Sequence, residues 1–153
     1  MNIEVLEAYR HIEEVKLLFT EYTSSLGVDL SYQNYAGEFA ALPGKYAPPS
    51  GRLYVAYCDG MAAGCIALRS IDEATCEMKR LYVRERFRGL HIGRMLAERI
   101  ILDAKAIGYR SMVLDTLSSM NSAKRLYAEL GFREIAPYYD SPVQGTCFLS
   151  LSL

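Results

Sequence analysis

The stretch from Glu77 to Arg94, E-M-K-R-L-Y-V-R-E-R-F-R-G-L-H-I-G-R, constrains this chain more than any other. Met78 to Val83 is a β-rich mix, Arg84 to Arg88 a charged turn, and Arg88-Gly89-Leu90-His91-Ile92-Gly93 a glycine-containing corner. Beyond the corner Ile92, Leu96 and Ile100 fall on one helical face, with Met95 beside them. The chain must therefore leave a sheet and begin a helix within a few residues. The N–H groups of a first helical turn have no partners inside the helix, and the helix dipole favours negative charge there. Glycine lets an anion come close to the backbone. The corner reads as a grip for a pyrophosphate, and the strand before it as the part that aligns the rest of a cofactor.

The remaining segments surround that unit. Asn2 to Leu6 reads as a strand, and Ala8 to Leu26 as a helix stopped by Gly27. Leu30 to Leu42 reads as a shorter helix, followed by a loop marked by Pro43-Gly44 and Pro48-Pro49-Ser50-Gly51. Arg52 to Cys58 and Met61 to Ser70 form a hairpin about Asp59-Gly60, and Thr75 to Val83 is the next strand. The second half alternates: a helix from His91 to Ile107, a strand from Ser111 to Asp115, a helix capped by Ser118 or Ser119 and running to Leu130, then strands at Phe132–Ile135 and Thr146–Leu153. Antiparallel strands followed by alternating strands and helices predict an α/β (α+β) fold, a mixed sheet in one domain over residues 1–153.

Composition narrows the function. A net charge of −1 argues against a nucleic-acid partner, and no apolar run reaches the length of a membrane span. The N-terminus lacks a basic, apolar leader, so a cytoplasmic protein is expected. Cys58, Cys65, Cys76 and Cys147 are scattered and His11 and His91 lie far apart, which predicts reduced core thiols and no metal.

Two blocks carry a resemblance. Glu77 to Gly93 is similar to the acetyl-CoA strand and pyrophosphate turn of the GNAT superfamily of N-acetyltransferases. Asn121 to Phe132, N-S-A-K-R-L-Y-A-E-L-G-F, resembles the family's N-x-x-A-x-x-x-Y-x-x-x-G-F segment. His91 stands where the family turn usually has glycine, and Gly89 is an additional glycine. The resemblance implies a mostly antiparallel mixed sheet flanked by about four helices, with acetyl-CoA as cosubstrate. It implies cofactor contacts at Leu81, Tyr82, Val83, Arg88, Gly89, Leu90, His91, Ile92, Gly93, Arg94, Asn121, Ala123 and Tyr127.

Transfer of an acetyl group to an amine needs a neutral amine, a polarised thioester carbonyl and a proton for the departing thiolate. By the resemblance, Glu77 is the base, acting through water, and Tyr127 the acid. Each has a plainer alternative: Glu77 as the ion-pair partner of Lys79 or Arg69, Tyr127 as a core aromatic beside Leu126, Leu130 and Phe132. Strand alternation puts Glu77 on one face with Lys79 and Leu81. Tyr32, Tyr35, Tyr46, Arg69, Glu77, Tyr138 and Tyr139 are candidates for the acceptor pocket, with Arg69 suited to a carboxylate. A small-molecule amine is the leading acceptor. A protein or peptide acceptor, or an acyl-CoA sensor without turnover, are the alternatives, and an exposed strand edge is compatible with a homodimer.

Overall fold

The computed structural model describes residues 1–27, 29 and 34–153. Among them, seven strands form one sheet in the order β1-β2-β3-β4-β5-β7-β6. The strands are β1 (Ile3–Glu7), β2 (Arg52–Cys58), β3 (Met61–Ser70), β4 (Thr75–Val83), β5 (Ser111–Leu117), β6 (Arg133–Glu134) and β7 (Thr146–Ser152). Four α-helices accompany them: α1 (Ile12–Leu26), α2 (Tyr35–Ala41), α3 (Ile92–Ile107) and α4 (Asn121–Glu129). All strand pairs are antiparallel except β4 with β5. No helix of the described residues is long and apolar enough to cross a membrane.

The sheet is covered on both faces, so its central strands are apolar on both sides. Along β2, Tyr54, Ala56 and Cys58 face a core shared with Ile92, Leu96 and Ile100 of α3. Leu53 and Val55 face a second core with Val15, Leu18 and Phe19 of α1.

Several boundaries differ from the sequence reading. The first helix is split at His11: Ala8–Arg10 forms a separate 3-10 turn, fixed by the buried Ala8 and by Tyr9, whose hydroxyl donates to Tyr46 O at 2.9 Å. Of the helix expected over Leu30–Leu42, only Tyr35–Ala41 is helical among the described residues; Leu30 to Gln33 lie outside them. Leu42 is extended with ψ 136°, as a residue before proline prefers. The expected serine cap of the fourth helix is absent: β5 runs on to Leu117, Ser118 N donates to Gly145 O at 2.8 Å, and α4 starts at Asn121 without a side-chain cap.

Two irregularities in β4 build the site. Its parallel ladder with β5 covers Thr75↔Ser111, Cys76↔Met112 and Glu77↔Val113, after which both strands run on and separate. Against β3 the register shifts: Ala67 pairs Lys79 while Cys65 pairs Tyr82, so the one residue Ile66 lies opposite both Arg80 and Leu81. This is a β-bulge, and Arg80 takes the left-handed φ of 61° within it. The bulge breaks the alternation expected from the sequence. Leu81 turns toward the α3 core with Val83, whereas Tyr82 packs toward α1 and Arg80 pairs with Glu38 of α2. Leu81 therefore does not share a face with Glu77. Gly64 fits the close strand approach beside the bulge: a Cβ there would sit 2.6 Å from Tyr82 O.

Candidate active site

Where β4 and β5 separate, a cavity of about 770 Å³ opens. That volume suits a cofactor-sized ligand. Leu81, Tyr82 and Val83 of β4 form one wall and Leu117 of β5 another. Arg88, Gly89, His91, Ile92, Gly93 and Arg94 come from the turn into α3, and Ser119 to Ala123, Arg125, Leu126 and Glu129 from the approach to α4 and α4 itself. Tyr22, Ser25 and Leu26 close the cavity from the end of α1.

The turn explains why these residues converge. Arg88 Nε donates to Val83 O at 3.0 Å, tying the corner back to the strand it leaves. Gly89 has φ 86° and His91 φ 64°, so the chain reverses through two left-handed residues before α3 begins. For histidine that conformation costs about 1 kcal/mol or more relative to glycine. His91 provides no side-chain cap, so the first N–H groups of the 16-residue α3 are left for whatever enters the cavity. A Cβ built on Gly93 would touch only Leu126 and Val83, each at 3.7 Å. The protein alone would tolerate a side chain there, and the bare backbone leaves room on the cavity side. An uncapped helix start, a bare glycine and two arginines fit the pyrophosphate of a coenzyme A thioester.

At the foot of the split the chemistry changes. Glu77 sits on the last rung of the β4–β5 ladder and is 2% exposed. Its Oε1 accepts from Arg69 Nε at 2.7 Å and lies 3.9 Å from Lys79 Nζ, while its Oε2 accepts from Tyr138 OH at 2.6 Å. Burial pushes the Glu77 carboxyl up, but Lys79, Tyr138 and Arg69 together outweigh it and hold it below the ordinary glutamate value. Burial pulls Lys79 down to about 8, against the pull of Glu77. Across the split, Asp115 Oδ2 accepts from Tyr139 OH at 2.7 Å. Burial raises the Asp115 carboxyl, with Tyr139 and Lys79 opposing. The bulge brings in a third carboxylate: Arg80 holds Glu38 by two hydrogen bonds of 2.9 and 3.0 Å, and Lys45 adds a contact at 3.2 Å.

Eleven of the thirteen expected cofactor residues line the cavity; Leu90 and Tyr127 do not. Leu90 packs at the edge of the α3 core. Tyr127 is 6% exposed, edge-on to Phe132 at 5.7 Å between ring centres, and burial raises its phenol with smaller contributions from Tyr22 and Asp115. Of the acceptor candidates, Arg69 and Tyr138 meet at Glu77, and Tyr139 meets Asp115. Tyr35 lies under the Arg80 guanidinium at 5.5 Å, Tyr46 is fully buried in the α1 core, and Tyr32 is outside the described residues. Sequence reasoning passed over Asp115 and the end of α1. Alternation along β5 was the available signal for Asp115, which shares a face with Val113 and Leu117. No local pattern marks Tyr22 or Ser25.

The chain is similar to known proteins in the same terms. An acetyltransferase (GNAT) domain model matches residues 49–134. An uncharacterized N-acetyltransferase of Schizosaccharomyces pombe is 39% identical, over 100% of this chain and 95% of that protein. The N-acetylaspartate synthetase of Danio rerio is 33% identical over 84% of this chain and 47% of its own length. The crystal structure of a GNAT family acetyltransferase from Elizabethkingia anophelis with acetyl-CoA bound superposes with a TM-score of 0.60 at 30% identity, over 73% of this chain and 82% of that one. With a mixed sheet of seven strands and four α-helices among the described residues, and with β4 and β5 split apart, the chain belongs to the GNAT family of acetyltransferases.

Proposed function

We propose that residues 1–153 act as one acetyl-CoA-dependent N-acetyltransferase domain, moving an acetyl group to the amine of a small molecule by direct attack in a ternary complex. The observation that carries this reading is the position of the cavity: it runs from the uncapped start of α3 along the separated strands β4 and β5 to Leu81 and Leu117, and the polar cluster of Glu77 and Asp115 lies further down the same two strands. Acetyl-CoA supplies an acetyl group already activated as a thioester. The backbone from Arg88 to Gly93, with Arg94, holds the pyrophosphate; Leu90 and Ile92 anchor that turn in the core. Leu81, Tyr82 and Val83 offer a strand edge to the pantetheine amides, and Asn121 and Ala123 border the same groove.

Tyr127 donates the proton to the departing sulfur. Burial keeps its phenol protonated, which is the state an acid needs. Glu77 supplies fixed negative charge beside the acceptor amine and holds Arg69, Lys79 and Tyr138 in place. Arg69, Tyr138 and Tyr35 flank the acceptor side, where an amino-acid-like acceptor agrees with the name of the N-acetylaspartate synthetase relative. The four free cysteines, three of them buried, agree with work in the reducing cytoplasm.

The test is free-thiol release from acetyl-CoA across amino acids, polyamines, aminoglycosides and peptides, with mass analysis of the product. Amine-dependent release with one acetyl group added to a small molecule is the expected result. Acetyl-CoA binding without release for any amine would leave a cofactor-binding protein instead.

A further inference from the structure

The two carboxylates at the foot of the split are not equivalent. Glu77 is committed: one oxygen meets Arg69 and Lys79, the other Tyr138, and the residue is 2% exposed. It lies on the last rung where β4 and β5 are still paired. Asp115 lies two residues further along β5, beyond that rung, and so stands in the open split. Leu117, the next residue on the same face, lines the cavity. Asp115 is thus about 7 Å, one strand repeat, below the cavity wall. Its Oδ2 is held by the neutral hydroxyl of Tyr139.

We propose that Asp115, rather than Glu77, takes the proton from the acceptor amine, and that Tyr139 is the residue that positions it. This rests on the acetyltransferase reading above. The amine lone pair attacks the thioester carbonyl carbon, the N–C bond forms, the C–S bond breaks and its electron pair leaves on sulfur. The surplus proton on nitrogen passes to Asp115. Tyr127 gives its proton to the thiolate, and the proton on Asp115 restores the phenol. The products are an amide and a thiol, with both side chains returned to their starting states. Tyr127 feels the charge of Asp115, which places the two ends of this circuit within electrostatic reach.

The groups that set the behaviour of Asp115 are Lys79, Glu77 and Arg80 from β4, Tyr139 from the segment before β7, and Tyr127 from α4. Burial raises its carboxyl, whereas Lys79, Tyr138 and Arg69 hold the Glu77 carboxyl low, so the surroundings favour proton uptake at Asp115 and oppose it at Glu77. The Tyr139 hydroxyl opposes that rise, so its removal moves the carboxyl further up.

The experiment is the pH profile of kcat/KM for wild type, Asp115→Asn, Tyr139→Phe and Glu77→Gln, using acetyl-CoA and the acceptor turned over fastest in the amine panel. The acceptor's own deprotonation gives one proton of pH dependence; Asp115 adds a second, steeper limb at lower pH. Asp115→Asn is expected to lose on the order of 10²-fold in kcat/KM at neutral pH and to lose the steep limb. Tyr139→Phe is expected to keep the plateau within a few-fold while its steep limb moves to higher pH. Glu77→Gln is expected to keep the steep limb at whatever activity remains. Wild-type activity in Asp115→Asn, an unmoved limb in Tyr139→Phe, or a limb lost only in Glu77→Gln would each overturn the assignment. If Asp115→Asn fails to fold, the Tyr139→Phe limb decides alone. A wild-type protein that releases no thiol with any amine fails earlier and differently, and takes the acetyltransferase reading with it.

Discussion

The two ends of the split are built from different materials. The cofactor end is mostly backbone and short-range sequence: a strand, a two-residue left-handed turn and a helix start, all within residues 75–107. The acceptor end is made of charged side chains joined over long separations. Arg80 and Glu38 are 42 residues apart, and Tyr138 and Glu77 are 61 apart. One end can change its surroundings and keep its shape. The other depends on the whole chain being in place, and on charges that are stable only while paired.

The largest expected effect follows from that dependence. The side chains of Arg80 and Glu38 are each 3% exposed, so Glu38→Ala leaves a buried guanidinium uncompensated. It is expected to cost roughly 3–5 kcal/mol in chemical denaturation. The double variant Glu38→Leu with Arg80→Met is expected to recover most of that loss, because the unpaired charge is gone. A small loss in the single variant would mean that the acceptor end is no more interdependent than the cofactor end.

Next in size is Tyr127→Phe, which removes one buried hydroxyl of α4 and keeps the ring. Turnover is expected to fall by roughly 10²-fold with little change in acetyl-CoA affinity. Near-complete activity would leave Tyr127 as a core aromatic packed on Phe132.

Most of the cofactor end was legible in the sequence, and most of the acceptor end was not. Glycine spacing and helical period are local, so the corner at Arg88–Gly93 and the segment from Asn121 could be placed from residues close together in the chain. Glu77 could be singled out with Arg69 and Lys79 as its ion-pair partners, but not its bond to Tyr138, because pairing between a strand and a loop 61 residues away leaves no mark on either segment alone. The bulge at Arg80 was hidden for a related reason. An arginine at positive φ gives no compositional signal, and it reverses the alternation on which the facing of Leu81 was judged. Asp115 needed no long-range knowledge, only alternation along β5 read to the last residue of the expected strand, Ser111 to Asp115.

Acid should separate the two ends more gently. Glu38 and Glu77 both have carboxyls held below the ordinary 4.5, so each contributes stability that is present above pH 4.5 and is lost as pH falls through the lowered value. Thermal melts are expected to fall below pH 4.5, with a weaker fall in Glu77→Gln. Equal acid sensitivity in that variant would remove Glu77 from the account.

The smallest effect lies in the turn. His91→Gly relieves a left-handed histidine and is expected to stabilise by about 0.5–1 kcal/mol, or about 1–4 °C in Tm for a chain of this size. A destabilised variant would show that the imidazole makes a contact worth more than the strain.

The central claim is that the cavity in the split holds acetyl-CoA with its phosphates at the start of α3, and Gly93→Asp tests it most directly. Neither neighbour of a Cβ at this position comes closer than 3.7 Å, so the variant is expected to fold. Its added carboxylate would stand where the phosphates belong. Wild type should gain about 2.7 kcal/mol of stability at acetyl-CoA concentrations of ~100 times Kd. In Gly93→Asp most of the corresponding Tm shift should disappear. A folded Gly93→Asp protein with an unchanged shift would place the pyrophosphate elsewhere and contradict the claim.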